Sequence, residues 1–283
     1  MNEAAVITAI TDGTVTTMID ASHPLFFFTD GARKMLKPLL VAACVVMSMS
    51  PGLSRANSLD ELIKKAGAGD AKAQNNLGFR YVQGDGVPKN YELAEQWFSK
   101  AAEHGNALAE HNLGLMYAEG EGHPVDLQQA AKWFRKAADR GDVPSQFDLG
   151  LMYAHGDGVV KNYEEAARWF AKAAVQGHQP SQVNLGLMYL RGDGVKTDPH
   201  EGAKWFRKAA ERGDAIAQFH LGQCYLDGEG VPEDKESAYF WFLLAAAEGD
   251  HDARPYVEDI ETELSPKQIT DTQRKAAVWK PSP

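Results

Sequence analysis

The sequence predicts an all-α protein, a solenoid of five 36-residue helix-turn-helix repeats with degenerate capping helices at both ends. Three series of residues predict it. Tryptophans stand at Trp97, Trp133, Trp169, Trp205 and Trp241, each 36 residues from the last. The same step carries Leu77-Gly78 through Leu113-Gly114, Leu149-Gly150, Leu185-Gly186 and Leu221-Gly222, and Tyr81 through Tyr117, Tyr153, Tyr189 and Tyr225. No insertion or deletion breaks the register.

The elements of one unit, residues 70–105, follow in order. Ala73, Leu77, Gly78 and Tyr81 fall on one face of a first helix, which is therefore amphipathic. Asp70, Asn106, Asp142, Asp214 and Asp250 stand where such helices need an N-cap, and Pro144 and Pro180 fall in a first turn that tolerates proline. Gly84-Asp85-Gly86-Val87-Pro88 then forms the turn, because its glycines admit positive φ and its proline stops the helix. Asn90, Asp126, Asn162, Asp198 and Asp234 cap the second helix, with Gln129, Glu165 and Glu201 placed for reciprocal capping. Ala94, Trp97, Phe98, Ala101 and Ala102 follow the i, i+3, i+4, i+7, i+8 pattern of its buried face. Gly105, Gly141, Gly177, Gly213 and Gly249 close it in the left-handed conformation. A mid-helix glycine costs about 1 kcal/mol, so Gly78 and its equivalents are expected to serve close helix approach.

The flanks depart from the repeat. Residues 57–69 read as an N-terminal capping helix with Glu61 where tryptophan belongs, and residues 70–249 hold the five repeats. Residues 250–283 read as a degenerate half repeat, with Val257-Glu258 in place of Leu-Gly, and a capping helix opened by Ser265-Pro266-Lys267-Gln268. Upstream, Arg33, Lys34 and Lys37 precede an apolar stretch from Leu39 to Met49, and Ser54-Arg55-Ala56 supplies small residues at −3 and −1. Residues 35–56 thus read as a signal peptide cut after Ala56, with a retained anchor or acylation of Cys44 as alternatives. Residues 1–34 read as a disordered leader or an over-extended start.

The formal net charge is −10 with a pI near 5.4, and no polybasic tract stands out. Nucleic acid and anionic membrane surfaces are therefore poor partner candidates, and no stable membrane insertion is expected after signal cleavage. Cys44 and Cys224 cannot build a disulfide scaffold or a four-cysteine zinc site. No phosphate-binding loop, dinucleotide fingerprint, HExxH or nucleophile elbow occurs. The turn carboxylates Asp85, Glu121, Asp157, Asp193 and Glu229 stand one per repeat, too far apart for a calcium cage. The histidines of residues 57–283 fall in different registers and read as surface or helix-end residues. Catalytic residues, metal ligands and cofactors are accordingly predicted to be none.

The pattern Ala-x3-Leu-Gly-x2-Tyr-x2-Gly-[Asp/Glu]-Gly-Val, followed by Ala-x2-Trp-Phe-x2-Ala-Ala-x2-Gly, resembles the Sel-1-like repeat, a relative of the tetratricopeptide repeat. The resemblance covers residues 70–249 fully. It implies an α/α superhelix whose first helices line a concave face, in a family of mostly non-enzymatic adaptors, many of them exported by bacteria. One cysteine-rich branch is linked to β-lactam binding and hydrolysis, so a β-lactam or cell-wall hydrolase is the alternative function. The repeats here hold only Cys224, which stands where Met116, Met152 and Met188 stand.

A helical wheel puts positions 72, 76, 79 and 83 opposite the partner helix of the same repeat. The register of position 76 reads Asn76, Asn112, Asp148, Asn184 and His220, a polar ladder. The register of position 83 reads Gln83, Glu119, His155, Arg191 and Asp227, polar but different in each copy. By resemblance the residues of the Asn76 register, just before the Leu-Gly pair, are expected to line the concave groove and hold a segment of a protein partner, and the varied Gln83 register is the better candidate for selectivity. The other role open to the ladder is to tie adjacent helices together. The chain is thus read as a monomeric scaffold or regulatory adaptor of the cell envelope, periplasmic or secreted.

Overall fold

A computed structural model of the chain describes residues 54–282, which carry thirteen helices and no strand. The predicted leader and most of the predicted signal peptide lie outside the described residues. Helix α1 (Ser54–Gly67) precedes five pairs: α2 (Ala71–Gln83) with α3 (Tyr91–Glu103), α4 (Ala107–Glu119) with α5 (Leu127–Asp139), α6 (Val143–His155) with α7 (Tyr163–Val175), α8 (Gln179–Arg191) with α9 (Pro199–Ala210), and α10 (Ala215–Asp227) with α11 (Lys235–Ala247). Helices α12 (Ala253–Glu261) and α13 (Pro266–Val278) close the array. Each helix from α1 to α11 packs on the next, and α13 also packs on α11. The chain is an α-solenoid.

The predicted punctuation holds except at Asp250, which stands two residues before the N-cap of α12, Asp252, and accepts the Asp252 and Ala253 amides. Asn90, Asn162 and Asp198 accept the N3 amide of their second helices, and Asp126 and Asp234 accept both the N2 and N3 amides. Gly105, Gly141, Gly177, Gly213 and Gly249 have φ from 74° to 95°. The reciprocal capping expected at Glu165 and Glu201 does not form, because their carboxylates turn to Arg168 at 2.7 Å and Lys204 at 2.5 Å instead. Among the described residues a capping box forms at Ser265 and Gln268 of α13.

The glycine of each Leu-Gly pair stands against a phenylalanine. A Cβ on Gly78, Gly114, Gly150, Gly186 or Gly222 would meet Phe98, Phe134, Phe170, Phe206 or Phe242 at 2.5–2.8 Å. These five phenylalanines are at most 3% exposed and lie in the core. Tryptophan is the shallower partner. Trp169 and Trp241 are buried, whereas Trp97, Trp133 and Trp205 are half-buried. Four of them carry a lysine of the next turn over the ring: Lys100 on Trp97, Lys136 on Trp133, Lys172 on Trp169 and Lys208 on Trp205, at 3.6–4.4 Å from the centroid. Trp241 has Leu244 at that position and instead meets Trp279, just after α13, edge to face at 6.3 Å. The terminal helix thereby covers what a sixth repeat would cover.

One recurrent tie was not anticipated. Gln74, Gln146, Gln182 and Gln218 each donate Nε2 to a carbonyl at the end of the preceding helix, Ala66, Ala138, Ala174 and Ala210, at 3.0–3.2 Å. All four glutamines are buried. Glutamine recurs at this register in four of the five repeats, and that recurrence is the sequence signal that could reveal the tie.

Candidate partner-binding face

The residues of the Asn76 register lie in the middle of the first helices, and those of the Gln83 register are their last residues. A left-handed glycine, at 84, 120, 156, 192 or 228, follows each of the latter and stops the helix at the same point. That repetition keeps the five differing side chains at one edge of the first-helix layer.

The Gln83 register is accessible. Gln83, His155 and Asp227 are exposed, and Glu119 and Arg191 are half-buried. His155 Nδ1 lies 3.8 Å from Asp157, yet partial burial holds its pKa below the ordinary value. Burial, and then Glu233, raise the pKa of Asp227.

The Asn76 register is uneven. Asn76 is exposed, Asp148 and His220 are half-buried, and Asn112 and Asn184 are 7% exposed. Asn112 donates Nδ2 to Asn75 Oδ1 of the preceding repeat at 2.9 Å, which is the tying role. Asn184 donates to its own Pro180 carbonyl at 2.8 Å. His220 meets Gln223 Oε1 through Nδ1 at 2.9 Å and stacks on Phe206 at 5.1 Å.

Asp148 belongs to a buried polar cluster between the second and third repeats. His111 Nδ1 lies 2.8 Å from Ser145 Oγ, 3.7 Å from Asp142 and 3.8 Å from Asp148. Burial, reinforced by the Asp142 charge, pushes the Asp148 carboxyl up to about 7. Burial lowers the His111 pKa, against the pull of Asp142. The surface or helix-end role expected of the histidines therefore fails at His111, which lies within α4, is 9% exposed and packs beside Phe134. His178 keeps the helix-end place expected of it, at the N-cap of α8, where it is half-buried, lies 4.9 Å from Phe147, and has its pKa lowered to about 4 by burial. Ser, His and Asp meet here, but hydroxyl and carboxylates all face the same ring nitrogen. A proton relay needs the carboxylate on one nitrogen and the nucleophile on the other.

No group of three His, Cys, Asp or Glu side chains among the described residues is gathered as a metal ion would require. Cys224 is buried and free, and burial pushes its thiol up to about 12, so it stays protonated near neutrality. Among the described residues no helix is long and apolar enough to cross a membrane.

The Sel1 repeat family matches five consecutive segments, residues 71–106, 107–142, 143–178, 179–214 and 215–250. The chain belongs to the Sel1 repeat family. Sel1 repeats generally serve as protein–protein interaction scaffolds. The structure of a Sel1 repeat protein from Oxalobacter formigenes is 35% identical, with a TM-score of 0.69 over 78% of this chain and 92% of that one. The structure of c5321, a protective antigen present in uropathogenic Escherichia coli strains, is 30% identical with a TM-score of 0.52, over 78% of this chain and 56% of that one. The secretory immunoglobulin A-binding protein EsiB of Escherichia coli O6:H1 is 38% identical over 69 residues, or 24% of this chain. That match spans 14% of the length of EsiB.

Proposed function

We propose that this Sel1 repeat protein is a monomeric, non-enzymatic scaffold of the cell envelope that holds a segment of a protein partner on the concave side of its first-helix layer. Residues 35–56 direct its export to the periplasm or beyond the cell, and the mature chain starts at Asn57. The observation that carries the reading is the Gln83 register. In an array whose core positions repeat from copy to copy, one accessible edge presents amide, carboxylate, imidazole, guanidinium and carboxylate in turn. A structural role would favour one residue type, so variation at a fixed, exposed position supports selection of a partner. The half-buried and buried residues Asp148, Asn112, Asn184 and His220 supply the floor beside that edge, with Asn76 open to solvent. The name of EsiB records a protein ligand for one relative, which supports a protein partner here as well.

Two measurements test this. Capture from an envelope extract with the wild-type protein and with Gln83→Ala/His155→Ala/Asp227→Ala, all at exposed positions, is expected to show a partner lost only from the variant. An identical set of captured proteins removes the edge from the binding site. N-terminal sequencing of the protein recovered outside the cytoplasm is expected to read from Asn57, and a chain that begins at Met1 among cytoplasmic markers refutes the export assignment.

A further inference from the structure

The five repeats act as controls for one another, and the second departs from the rest. Where four repeats place a glutamine that donates to the preceding helix, the second places Glu110, which is 2% exposed. A carboxylate only accepts hydrogen bonds. The carbonyl of Ala102, equivalent to Ala66, Ala138, Ala174 and Ala210, therefore lacks the side-chain donor that each of those receives. Glu110 is instead bonded by Arg140 Nε, at 3.0 and 3.2 Å to its two oxygens. In the third repeat the same two registers hold Gln146 and Gln176, joined at 2.9 Å without a charge. The fold is thus satisfied by a neutral pair, and a buried carboxylate is the costlier solution.

What the charged version adds is a recess. A space of about 490 Å³ opens here, lined by Ala102, Glu110, Lys136, Asp139 and Arg140. Two of these side chains are already engaged and turned to fixed partners. Lys136 sits over the Trp133 ring at 3.8 Å, and Arg140 bonds Glu110 while lying against Gly105. Three acceptors belong to residues of the wall: the second carboxylate, Asp139, which makes no ion pair among the described residues; the spare lone pairs of Glu110; and the Ala102 carbonyl, which accepts the backbone N–H of Gly105. Ala102 and Asp139 lie in the last turns of α3 and α5, where the helix dipoles favour a cation. A primary ammonium carries three N–H donors on one point charge.

We infer that this recess binds a primary ammonium group, donating to Glu110, Asp139 and the Ala102 carbonyl. The group supplies the N–H that glutamine supplies in the other four repeats. It lies between the second helices of the first two repeats, apart from the Gln83 register, and does not depend on the assignment of that edge. A lysine side chain and a free alkylamine present the same chemistry.

The test uses NMR titration of the full protein with Nα-acetyl-lysine amide, with its Nζ-trimethyl analogue, and with methylammonium. Lysine amide is expected to shift the resonances around Glu110 saturably, and the trimethyl analogue, which has no N–H, to bind at least about tenfold more weakly. Glu110→Gln restores the residue of the sister repeats, so it keeps the fold, and is expected to weaken lysine amide at least about tenfold as its own amide takes the Ala102 carbonyl. Saturable binding of methylammonium as well assigns the site to free amines, and binding of lysine amide alone assigns it to side chains of a partner; both support an ammonium site. Absence of a saturable shift with either amine, equal binding of the trimethyl analogue, or undiminished binding to Glu110→Gln overturns it.

Discussion

Asn112 donates its side-chain amide to Asn75 Oδ1 across 2.9 Å, and the bond joins the first and second repeats at a place where both side chains are buried. Truncating the donor leaves Asn75, 3% exposed, with an acceptor that water reaches poorly. Asn112→Ala is therefore expected to cost about 1–3 kcal/mol in urea denaturation. Asn76→Ala, in the same register but exposed, is expected to change stability by no more than about 0.5 kcal/mol. Equal losses would show that the amide pair does not hold the junction.

The Leu-Gly pair gives a sharper contrast. An alanine methyl at Gly150 would lie 2.6 Å from Phe170 Cε1, inside van der Waals contact. Overpacking of that kind costs about 1–3 kcal/mol, more than the roughly 1 kcal/mol that alanine gains over glycine in helix propensity. Gly150→Ala should lower the melting temperature. Gly67→Ala, at the end of α1 with nothing within 4 Å of the new methyl, should leave it unchanged or raise it.

The repeat length, the caps, the turn glycines and the Gly–Phe approach were legible because each is a local property that recurs at a fixed spacing. A wheel with 3.6 residues per turn tells which face of a first helix meets the second helix of its own repeat. It does not tell which face meets the next repeat, because that depends on the angle at which repeats stack. Residues read as outward-facing, Asn112 and Asn184, are for this reason buried, and His111 is a junction residue rather than a surface one. The glutamine tie at Gln74 and its equivalents escaped for a different reason. Glutamine is ordinarily an exposed helix former, and only the position of the preceding helix end turns it into a buried donor.

Tryptophan depth predicts a graded response along the array. Trp169 is 2% exposed, with Lys172 at 3.6 Å and Arg135 at 5.5 Å from its ring centroid. Trp169→Ala opens a cavity between central repeats and should cost about 3–5 kcal/mol. Trp279 is half-buried and meets Trp241 at the end of the stack, so Trp279→Ala should cost less. Guanidinium denaturation of the two variants checks the order, and equal losses contradict a stack that is weaker at its end.

Asp148 gives the junction between the second and third repeats a pH dependence whose sign follows from its burial. Its carboxyl titrates at about 7 in the folded chain against an ordinary value of 3.8, chiefly because burial disfavours the charged form and secondarily because Asp142 repels it. Between those values the native state binds more protons than the unfolded chain. The contribution of Asp148 to stability is therefore fully present below pH 3.8 and is lost as pH rises through 7, with a slope of up to about 1.4 kcal/mol per pH unit. His111 acts in the opposite sense, since its lowered pKa removes stability as pH falls below 6.5. Asp148→Asn keeps the shape and deletes only the first of these two titrations. The variant should gain on the wild type steadily as pH is raised from about 4 to 7, and the gain should level off above that window. Urea midpoints of both proteins across the window measure the difference, and a constant offset would mean that Asp148 is already charged throughout it.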